Sequence, residues 1–393
     1  MSSPDTTTAD PSDLIDFDAL LTPGELALRA TVREFVAAEI KPHIARWYDE
    51  AVFPLEIVPR MAKLGLLGMH LDGYGCAGRS AVEYGVAGAE LEAGDSGLRT
   101  FVSVQGSLAM SAIHKHGSEE QKLEWLPRMA AGEAIGCFGL TEPTAGSDPS
   151  SMKTFARREG GGWVLNGSKR WIGLANVAQV AVIWAQTEDG IRGFVVPTET
   201  PGYAATPIPQ KLSMRASIQC DIELTDVRLP DEAVLPHAVG LKGPFSCLNE
   251  ARYGIMWGAM GAARDSFEAA LAYSRERLQF DKPLAGYQLT QLKLVDMALE
   301  INKGFLLALH IGRMKDAGTL QLHQISVGKL NNCREAIKIA REARTILGGN
   351  GVTLEYSPLR HANNLESVRT YEGTDEVHTL ILGQKLTGIP AFR

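Results

Sequence analysis

Cysteine is scarce and widely spaced in this chain of 393 residues. Its five cysteines are odd in number, and the two that lie nearest in sequence, Cys220 and Cys247, stand 27 positions apart. Such spacing excludes a disulfide framework and a zinc knuckle, and it is typical of reduced intracellular thiols. The pair His114 and His116 comes with no third ligand pattern, so we expect no metal site.

Long apolar runs and an excess of positive charge are also lacking. No stretch approaches the ~20 apolar residues needed to span a bilayer. The formal net charge of -7 disfavours a nucleic-acid partner held by a broad basic face. The first segment, MSSPDTTTADPSDLIDFD, is acidic and contains no Arg or Lys, unlike secretory signals and mitochondrial transit peptides. We therefore expect a cytoplasmic protein that binds neither a membrane nor nucleic acid.

Generic catalytic motifs are nearly absent as well. No GxSxG segment occurs, so nothing indicates an acyl-serine hydrolase. GWVLNGSK approaches a phosphate-binding loop, but Ser168 stands where Lys must follow the second glycine. Gly254 and Gly258 in YGIMWGAMG indicate close helix packing in a soluble bundle rather than a membrane motif.

The hydrophobic pattern divides the chain into a tail and three parts. We expect a flexible tail over residues 1–17 and helices over 18–137, opened by Thr22 as N-cap, Pro23 and the capping-box residue Glu25. Residues 138–237 are predicted to be all-β, with hairpin turns at Asn166-Gly167 and Asp189-Gly190. Residues 238–393 are predicted to be helical again, with helices long enough for a bundle.

Five segments then occur in the order typical of one enzyme family. They are CFGLTEPTAGSDPSSMKT, NGSKRWIG, RERLQFDKPLAGYQLTQLKL, ILGGNGV and TYEGTDEVH. Together they resemble the acyl-CoA dehydrogenase family across about residues 18 to 393. The resemblance implies an α+β fold with an N-terminal helical lobe, a middle β-barrel domain and a C-terminal four-helix bundle. It also implies a homotetramer with one FAD per subunit.

Glu372 in TYEGTDEVH matches the catalytic base of that family. From the residues alone, a solvated acid at a helix start is the simpler interpretation. The resemblance implies instead that Glu372 removes the α-proton of a thioester, and a carboxyl group with an unperturbed pKa near ~4.3 would need desolvation to do so efficiently. It further implies that the Glu372 N–H binds the thioester carbonyl, with Gly373 allowing close approach, and that Thr374 and Glu376 contact the flavin.

The resemblance also assigns the remaining flavin contacts. Leu140 and Thr141 match donors to the pyrimidine side of the ring, and Trp171 matches an aromatic residue packed on it, although a core Trp is the plainer reading. Arg277 and Gln288 match residues that reach the FAD of a neighbouring subunit. The full predicted cofactor set is Phe138, Leu140, Thr141, Gly146, Ser147, Trp171, Ile172, Gly173, Arg277, Phe280, Gln288, Thr345, Leu347, Gly348, Gly349, Thr374 and Glu376.

The expected acyl group follows from Arg99 in DSGLRTFVSVQ. A buried guanidinium without a carboxylate partner costs several kcal/mol, so an Arg99 that faces the pocket predicts a substrate with its own carboxylate. Within the family, this segment resembles the glutaryl-CoA dehydrogenases, in which an Arg between residues matching Glu92 and Tyr371 binds the distal carboxylate. The full predicted substrate set is Glu92, Arg99, Thr100, Ser103, Ser147, Asn249, Arg252, Tyr371 and Gly373. A solvent-facing Arg99 and a helix-surface Arg252 are the plain alternatives.

The reaction implied is oxidation of glutaryl-CoA followed by loss of CO₂ to give crotonyl-CoA, with electron-transfer flavoprotein as acceptor. One position departs from the family pattern, because Gly173 stands where a Thr usually follows Trp-Ile. A similar RWIG segment occurs in some short-chain acyl-CoA oxidases, which use O₂. A short-chain dehydrogenase or oxidase, and a flavin-binding homologue without turnover, therefore remain open.

Overall fold

A computed structural model describes residues 13–392, which form a helical, a β-sheet and a second helical part in that order. The α+β prediction is confirmed. The helices of the first part are α1 (Pro23–Phe35), α2 (Ile44–Glu50), α3 (Val58–Lys63), α4 (Ala81–Gly94), α5 (Ser96–Ser103), α6 (Ser111–His116) and α7 (Glu119–Ala130). Two π-helical segments, Val36–Ile40 and Val104–Met110, continue α1 and α5.

Helix α1 begins as its capping signals predict. Thr22 accepts a hydrogen bond from the N–H of Glu25, and Glu25 accepts one from the N–H of Thr22, with Pro23 as the first helical residue. The predicted tail lies outside the described residues up to position 12. At the predicted end of the tail, Phe17 is buried against Phe305 and opens a short 3-10 helix, Phe17–Leu20.

The middle part is one curled sheet of seven strands. They are β1 (Gly136–Gly139), β2 (Phe155–Glu159), β3 (Gly162–Gly173), β4 (Val180–Thr187), β5 (Gly190–Pro197), β6 (Tyr203–Pro207) and β7 (Gln219–Pro230). The strand order is β1-β4-β2-β3-β7-β6, with β5 paired to β4. The loop after β1 lies against the second half of β3, where the N–H of Arg170 donates to the Thr141 carbonyl at 2.9 Å.

The hairpin predicted at Asn166-Gly167 is wrong. Both residues lie inside the single long strand β3, and the chain turns earlier, at Gly160 and Gly161 between β2 and β3. A bulge between Leu165 and Gly167 explains the Asn-Gly signal, because a bulge uses glycine as a hairpin turn does. The hairpin between β4 and β5 is confirmed, with the turn at residues 188–189.

The last part is dominated by three long helices. Its helices are α8 (Lys242–Glu276), α9 (Gln288–Asp316), α10 (Leu322–Ile346), α11 (Ser357–Val368) and α12 (Asp375–Thr387), and a small hairpin joins α8 to α9 through β8 (Leu278–Gln279) and β9 (Lys282–Pro283). Helix α8 is the central element, because it packs against α4 on one side and α10 on the other. None of the helices within residues 13–392 is both long and apolar enough to cross a bilayer.

Candidate active site

A large cavity of about 1130 Å³ lies where the three parts meet. Its walls come from the loop after β1, the end of β3, helix α8 and the segment between α11 and α12. Fifteen of the sequence-predicted site residues line it: Thr100, Phe138, Leu140, Thr141, Gly146, Ser147, Trp171, Ile172, Gly173, Asn249, Arg252, Tyr371, Glu372, Gly373 and Thr374. The fold therefore brings residues that are far apart in sequence together around one cavity.

Glu372 occupies a strained turn between α11 and α12. Its φ of 56° is left-handed, which costs a non-glycine residue on the order of 1–3 kcal/mol, and Gly373 follows with φ 104°. Arg252 holds this turn by donating from Nε to the carbonyl of Glu372 at 2.6 Å. Within the described chain, the backbone N–H groups of Glu372, Gly373 and Thr374 donate to no protein atom. Successive free N–H groups after a left-handed residue form a concavity suited to a negatively charged oxygen.

The carboxyl group of Glu372 is buried and only partly committed to other groups. Burial raises its pKa above the ordinary value, and the nearby charges of Arg99, Lys329 and Arg252 offset part of that rise. Its Oε2 has no hydrogen-bond partner in the described structure. A carboxylate that is desolvated and uncommitted can accept a proton from carbon more readily than a solvated one. The solvated-acid alternative is therefore at odds with the geometry.

Arg99 lies directly behind Tyr371 and Thr100 and is 2% exposed. It donates from Nε to Glu92 at 2.6 Å and from Nη2 to the Tyr371 hydroxyl, while Thr100 and Tyr371 share a hydrogen bond of 3.2 Å. Arg99 Nη1 has no partner in the described structure. The alternative of a solvent-facing Arg99 is wrong. Ser103, one turn further along α5, is also fully buried.

Arg99 has a carboxylate partner inside the protein, so the prediction that only a substrate could neutralise it is wrong. Glu92 is itself buried and supplies a carboxylate inside the protein, so the pair carries no net charge. Beyond the ion pair, one guanidinium N–H of Arg99 has no partner in the described structure in the layer behind the cavity, and the Tyr371 and Thr100 residues in front of it line the cavity. Together they can still bind an anion by charge-assisted hydrogen bonds.

Opposite Glu372, the loop after β1 and the end of β3 form the other wall. Lys169 fixes the loop from below, since its buried Nζ donates to the Leu140 carbonyl at 3.2 Å and to Glu142 at 2.8 Å. Trp171 has a left-handed φ of 65°, which turns its ring outward so that it is 51% exposed. The alternative of a core Trp is thus wrong, and Arg170 stacks over the ring at 5.0 Å.

Several predicted residues lie away from this cavity. Glu92, Arg99 and Ser103 form the layer behind it. Glu376 is exposed on α12, and the other predicted cofactor residues lie on the hairpin after α8, at the start of α9 and at the end of α10. These are Arg277, Phe280, Gln288, Thr345, Leu347, Gly348 and Gly349. Phe280 is 93% exposed, whereas Leu347 is buried.

Two residues near the site were missed as functional candidates. Gly258 on α8 packs against the ion pair: a Cβ there would overlap Glu92 Oε2 and lie 3.1 Å from Arg99 Nε. The close packing predicted for Gly258 therefore includes contact with the Arg99–Glu92 ion pair. Lys329 on α10 donates to the Gly373 carbonyl at 2.7 Å. No local pattern marks either residue, because each acts through a partner far away in sequence.

Comparison with known proteins gives this arrangement a family. Models described as acyl-CoA dehydrogenase N-terminal, middle and C-terminal domains match residues 22–133, 137–227 and 239–387. The human short-chain specific acyl-CoA dehydrogenase, a mitochondrial protein, is 35% identical over 366 residues, which cover 91% of this chain and 89% of the relative. The chain belongs to the acyl-CoA dehydrogenase family. The prediction of the family is therefore confirmed.

Solved structures of the family resemble the chain over nearly its whole length. A glutaryl-CoA dehydrogenase from Mycobacterium smegmatis in complex with FADH₂ is 61% identical with a TM-score of 0.97, and the match covers 98% of this chain and 100% of that one. Butyryl-CoA dehydrogenase from Megasphaera elsdenii is 28% identical with a TM-score of 0.89, and the match covers 93% of this chain and 98% of that one.

Proposed function

We propose that this acyl-CoA dehydrogenase uses FAD to oxidise and decarboxylate glutaryl-CoA, giving crotonyl-CoA and CO₂. The observation that carries the substrate is the buried Arg99 with its uncommitted Nη1, held by Glu92 and Tyr371 in the layer directly behind the cavity that Glu372 lines. A pocket for a plain acyl chain gains nothing from a buried guanidinium. The similarity to a glutaryl-CoA dehydrogenase at 61% identity supports the same substrate.

The residues of the second wall fit FAD. The loop from Phe138 to Thr141 is fixed by Lys169, and Trp171 offers an exposed ring facing a space large enough for both an isoalloxazine and an acyl thioester. Leu140 and Thr141 would hold the pyrimidine edge, and Trp171 would stack on the ring. When bound, FAD supplies the acceptor for the hydride that leaves the β-carbon.

The chain itself supplies the base and the charge stabilisation. Glu372 takes the α-proton, and the free N–H groups at positions 372–374 bind the thioester oxygen as it gains negative charge. Arg252 and Asn249, joined by a hydrogen bond of 3.2 Å, and Ser147 line the cavity where the CoA portion would enter. The interaction with the thioester oxygen strengthens towards the transition state, and only such interactions accelerate the step.

Decarboxylation follows from the position of the second carboxylate. After oxidation, the bond from the γ-carbon to this carboxylate is vinylogous to the thioester carbonyl. When that bond breaks, CO₂ leaves and its electron pair flows to the thioester oxygen held at positions 372–374. Glu372, which still carries the α-proton, returns it to the γ-carbon, and crotonyl-CoA results. Arg99 orients the carboxylate, and the Tyr371 and Thr100 hydroxyls complete its hydrogen bonds.

Product analysis tests this proposal. Turnover of glutaryl-CoA labelled in the distal carboxylate, with an artificial electron acceptor, should release one labelled CO₂ for each crotonyl-CoA formed. Accumulation of the unsaturated five-carbon thioester without CO₂ would contradict decarboxylation and leave only oxidation. We also propose electron-transfer flavoprotein as the natural acceptor, to be compared with O₂ in the same assay.

A second candidate function, a short-chain acyl-CoA oxidase, is favoured by Gly173. This residue lines the cavity, and a Cβ there would meet no atom closer than Val104 Cγ2 at 3.8 Å. The wall beside Trp171 is therefore open to a small molecule such as O₂. Stoichiometric peroxide production with butyryl-CoA in air would support the oxidase, whereas turnover that depends on an added acceptor supports the dehydrogenase.

Gly258 provides a test of how the ion pair selects the substrate. In the Gly258→Ala variant the new methyl group displaces the Glu92 carboxylate, so Arg99 loses its position. We expect kcat/KM for glutaryl-CoA to fall by roughly 10-fold or more relative to butyryl-CoA. A ten-fold fall requires the loss of only about 1.4 kcal/mol of transition-state stabilisation, which is the scale of one hydrogen bond. Steady-state kinetics with both thioesters measure this ratio.

The matched control is Gly304→Ala on α9. Its new methyl group meets the flexible side chain of Met260, away from the ion pair. Its ratio of the two substrates should stay at the wild-type value even if its stability falls. Equal ratios in both variants would mean that Gly258 serves helix packing alone.

We further propose the homotetramer that the family resemblance implies. Helix α9 presents an apolar stripe at helical spacing to the surface, with Leu289 76%, Leu292 57%, Val295 51% and Leu299 48% exposed. Exposure of such an apolar stripe to water is unfavourable, and burial against other copies of the chain would remove it from water. Arg277 and Gln288 adjoin it, which suits their predicted role towards the FAD of a neighbouring subunit, and so does the predicted cofactor residue Phe280.

A further inference from the structure

Lys329 is a buried lysine without an ion-pair partner. It lies on α10, its side chain is 1% exposed, and burial lowers the pKa of its ammonium group. Within the described chain, no carboxylate oxygen lies within 4.0 Å of its Nζ. The nearby Asp375 is instead paired with Arg334 at 3.2 Å and Arg369 at 2.5 Å. The fold therefore carries a desolvation cost at Lys329 that no ion pair within 4.0 Å in the described structure offsets.

The one hydrogen bond that Lys329 makes is to the catalytic turn. Its Nζ donates to the carbonyl of Gly373 at 2.7 Å, next to the carbonyl of Glu372 that Arg252 binds at 2.6 Å. Two consecutive carbonyls are thus held by cations from two different helices, α10 and α8. Since the carbonyl and N–H of a trans peptide point in opposite directions, anchoring these oxygens directs the Gly373 and Thr374 N–H groups the other way. These are two of the N–H groups left without protein partners.

Charge is the second contribution of Lys329. The groups that act on the Glu372 carboxyl are Arg99 from α5, Arg252 from α8 and Lys329 from α10, all of which favour its ionised form. His378 from α12 contributes no charge near neutral pH, because burial lowers its pKa to about 3. Tyr371 and Tyr84 are neutral, since burial raises both of their pKa values.

We propose that Lys329 is a positioning residue that holds the Glu372–Gly373 turn in its left-handed conformation and keeps the Glu372 carboxylate charged. This inference rests on the proposed role of Glu372 as the base. It also explains the buried ammonium: the turn needs a cation at this place, and the folded state tolerates its desolvation cost. A function in stability alone would be better served by an apolar side chain of the same length.

Lys329→Met tests the proposal with two readouts that a stability role would not move together. We expect the acid limb of the kcat/KM pH profile for glutaryl-CoA to shift upward by about one unit or more, because a stabilising positive charge is lost. The thermal midpoint should stay equal or rise. Infrared difference spectra against Glu372→Gln should show the protonated carboxyl band of Glu372 titrating at higher pH, independently of turnover.

Two further variants separate charge from geometry. Lys329→Gln keeps a donor for the Gly373 carbonyl without the charge, so it should show the same pH shift with a smaller loss of kcat at high pH. The matched control is Lys338→Met on the same helix, whose side chain is 66% exposed and paired with Glu335. It should behave as wild type in every readout.

An unmoved acid limb in both Lys329 variants, or a lower thermal midpoint with activity reduced equally at all pH values, would overturn the inference. Failure of the proposed function gives a different result. In that case glutaryl-CoA would not reduce the flavin of the wild-type holoenzyme or would release no CO₂, whereas the infrared titration would still report whether Lys329 acts on Glu372.

Discussion

Glu372→Gln should abolish reduction of the bound flavin by acyl-CoA while the fold stays intact. Gln has nearly the same shape as Glu but cannot accept the α-proton, and loss of a positioned general base costs roughly 10²–10⁴-fold. The free N–H groups at positions 372–374 and the cavity walls remain, so thioester binding should persist. Stopped-flow absorbance of the flavin under anaerobic conditions measures the rate, and a rate within ten-fold of wild type would contradict the role of Glu372.

The same variant should be more stable than wild type at neutral pH. Burial raises the pKa of Glu372 in the fold, so the folded chain binds this proton more tightly than the unfolded chain does. The penalty for ionising Glu372 in the fold is therefore absent below its unfolded pKa, about 4.3, and grows as pH rises through the folded pKa. We expect the thermal midpoints of the two proteins to coincide near pH 4 and to separate near pH 8, with the variant higher.

Glu355→Gln serves as the control for that comparison. Glu355 is exposed in the segment before α11 and does not line the cavity. Its flavin reduction and its thermal midpoint should match wild type at both pH values. A gain in stability at pH 8 in the control as well would point to the general loss of negative charge rather than to Glu372.

Removing Arg99 should produce the second large effect, which is selective for the substrate. Arg99→Met should lower kcat/KM for glutaryl-CoA by ~2–5 kcal/mol in transition-state free energy, because a desolvated, charge-assisted contact to the distal carboxylate is lost. Butyryl-CoA brings no carboxylate, so its turnover should change far less or improve. Steady-state kinetics with both thioesters measure the change, and equal losses for the two would remove the specificity argument.

The single variant has one complication that the structure reveals. Arg99→Met leaves the buried Glu92 without its partner, and an uncompensated buried charge can destabilise the fold by about 3–5 kcal/mol. Arg99→Met combined with Glu92→Gln removes both charges together. The double variant should regain thermal stability but not glutaryl-CoA turnover, which separates substrate recognition from folding.

The sequence predicts elements best where the signals are local. The capping box at Thr22 and Glu25 begins α1, and β7, Gln219–Pro230, lies within the part predicted to be all-β. The prediction of a hairpin at Asn166-Gly167 is wrong because a bulge and a hairpin turn both favour glycine. Only the pairing of the strands distinguishes the two. The burial of Phe17 could not be predicted from its neighbours in sequence, because it depends on contact with Phe305, which lies far away in sequence.

The site follows the same division. Glu372, Trp171 and Arg99 stand in short segments that resemble the family, so the sequence could nominate them. The sequence does not show that Glu92 binds Arg99, so it could not reveal that the charge of Arg99 is already paired inside the protein. Lys329 contacts Gly373, and Gly258 contacts Glu92, and both contacts join residues that are far apart in sequence. No residue pattern within α10 or α8 predicts these contacts.

The most direct measurement is an anaerobic titration of the purified holoenzyme with glutaryl-CoA and, separately, with butyryl-CoA. Flavin absorbance reports reduction, and mass spectrometry identifies the acyl product. We expect glutaryl-CoA to bleach the flavin at lower concentration and to yield crotonyl-CoA and CO₂. Bleaching by butyryl-CoA alone would contradict this expectation, because the Arg99 site would then not select a carboxylate.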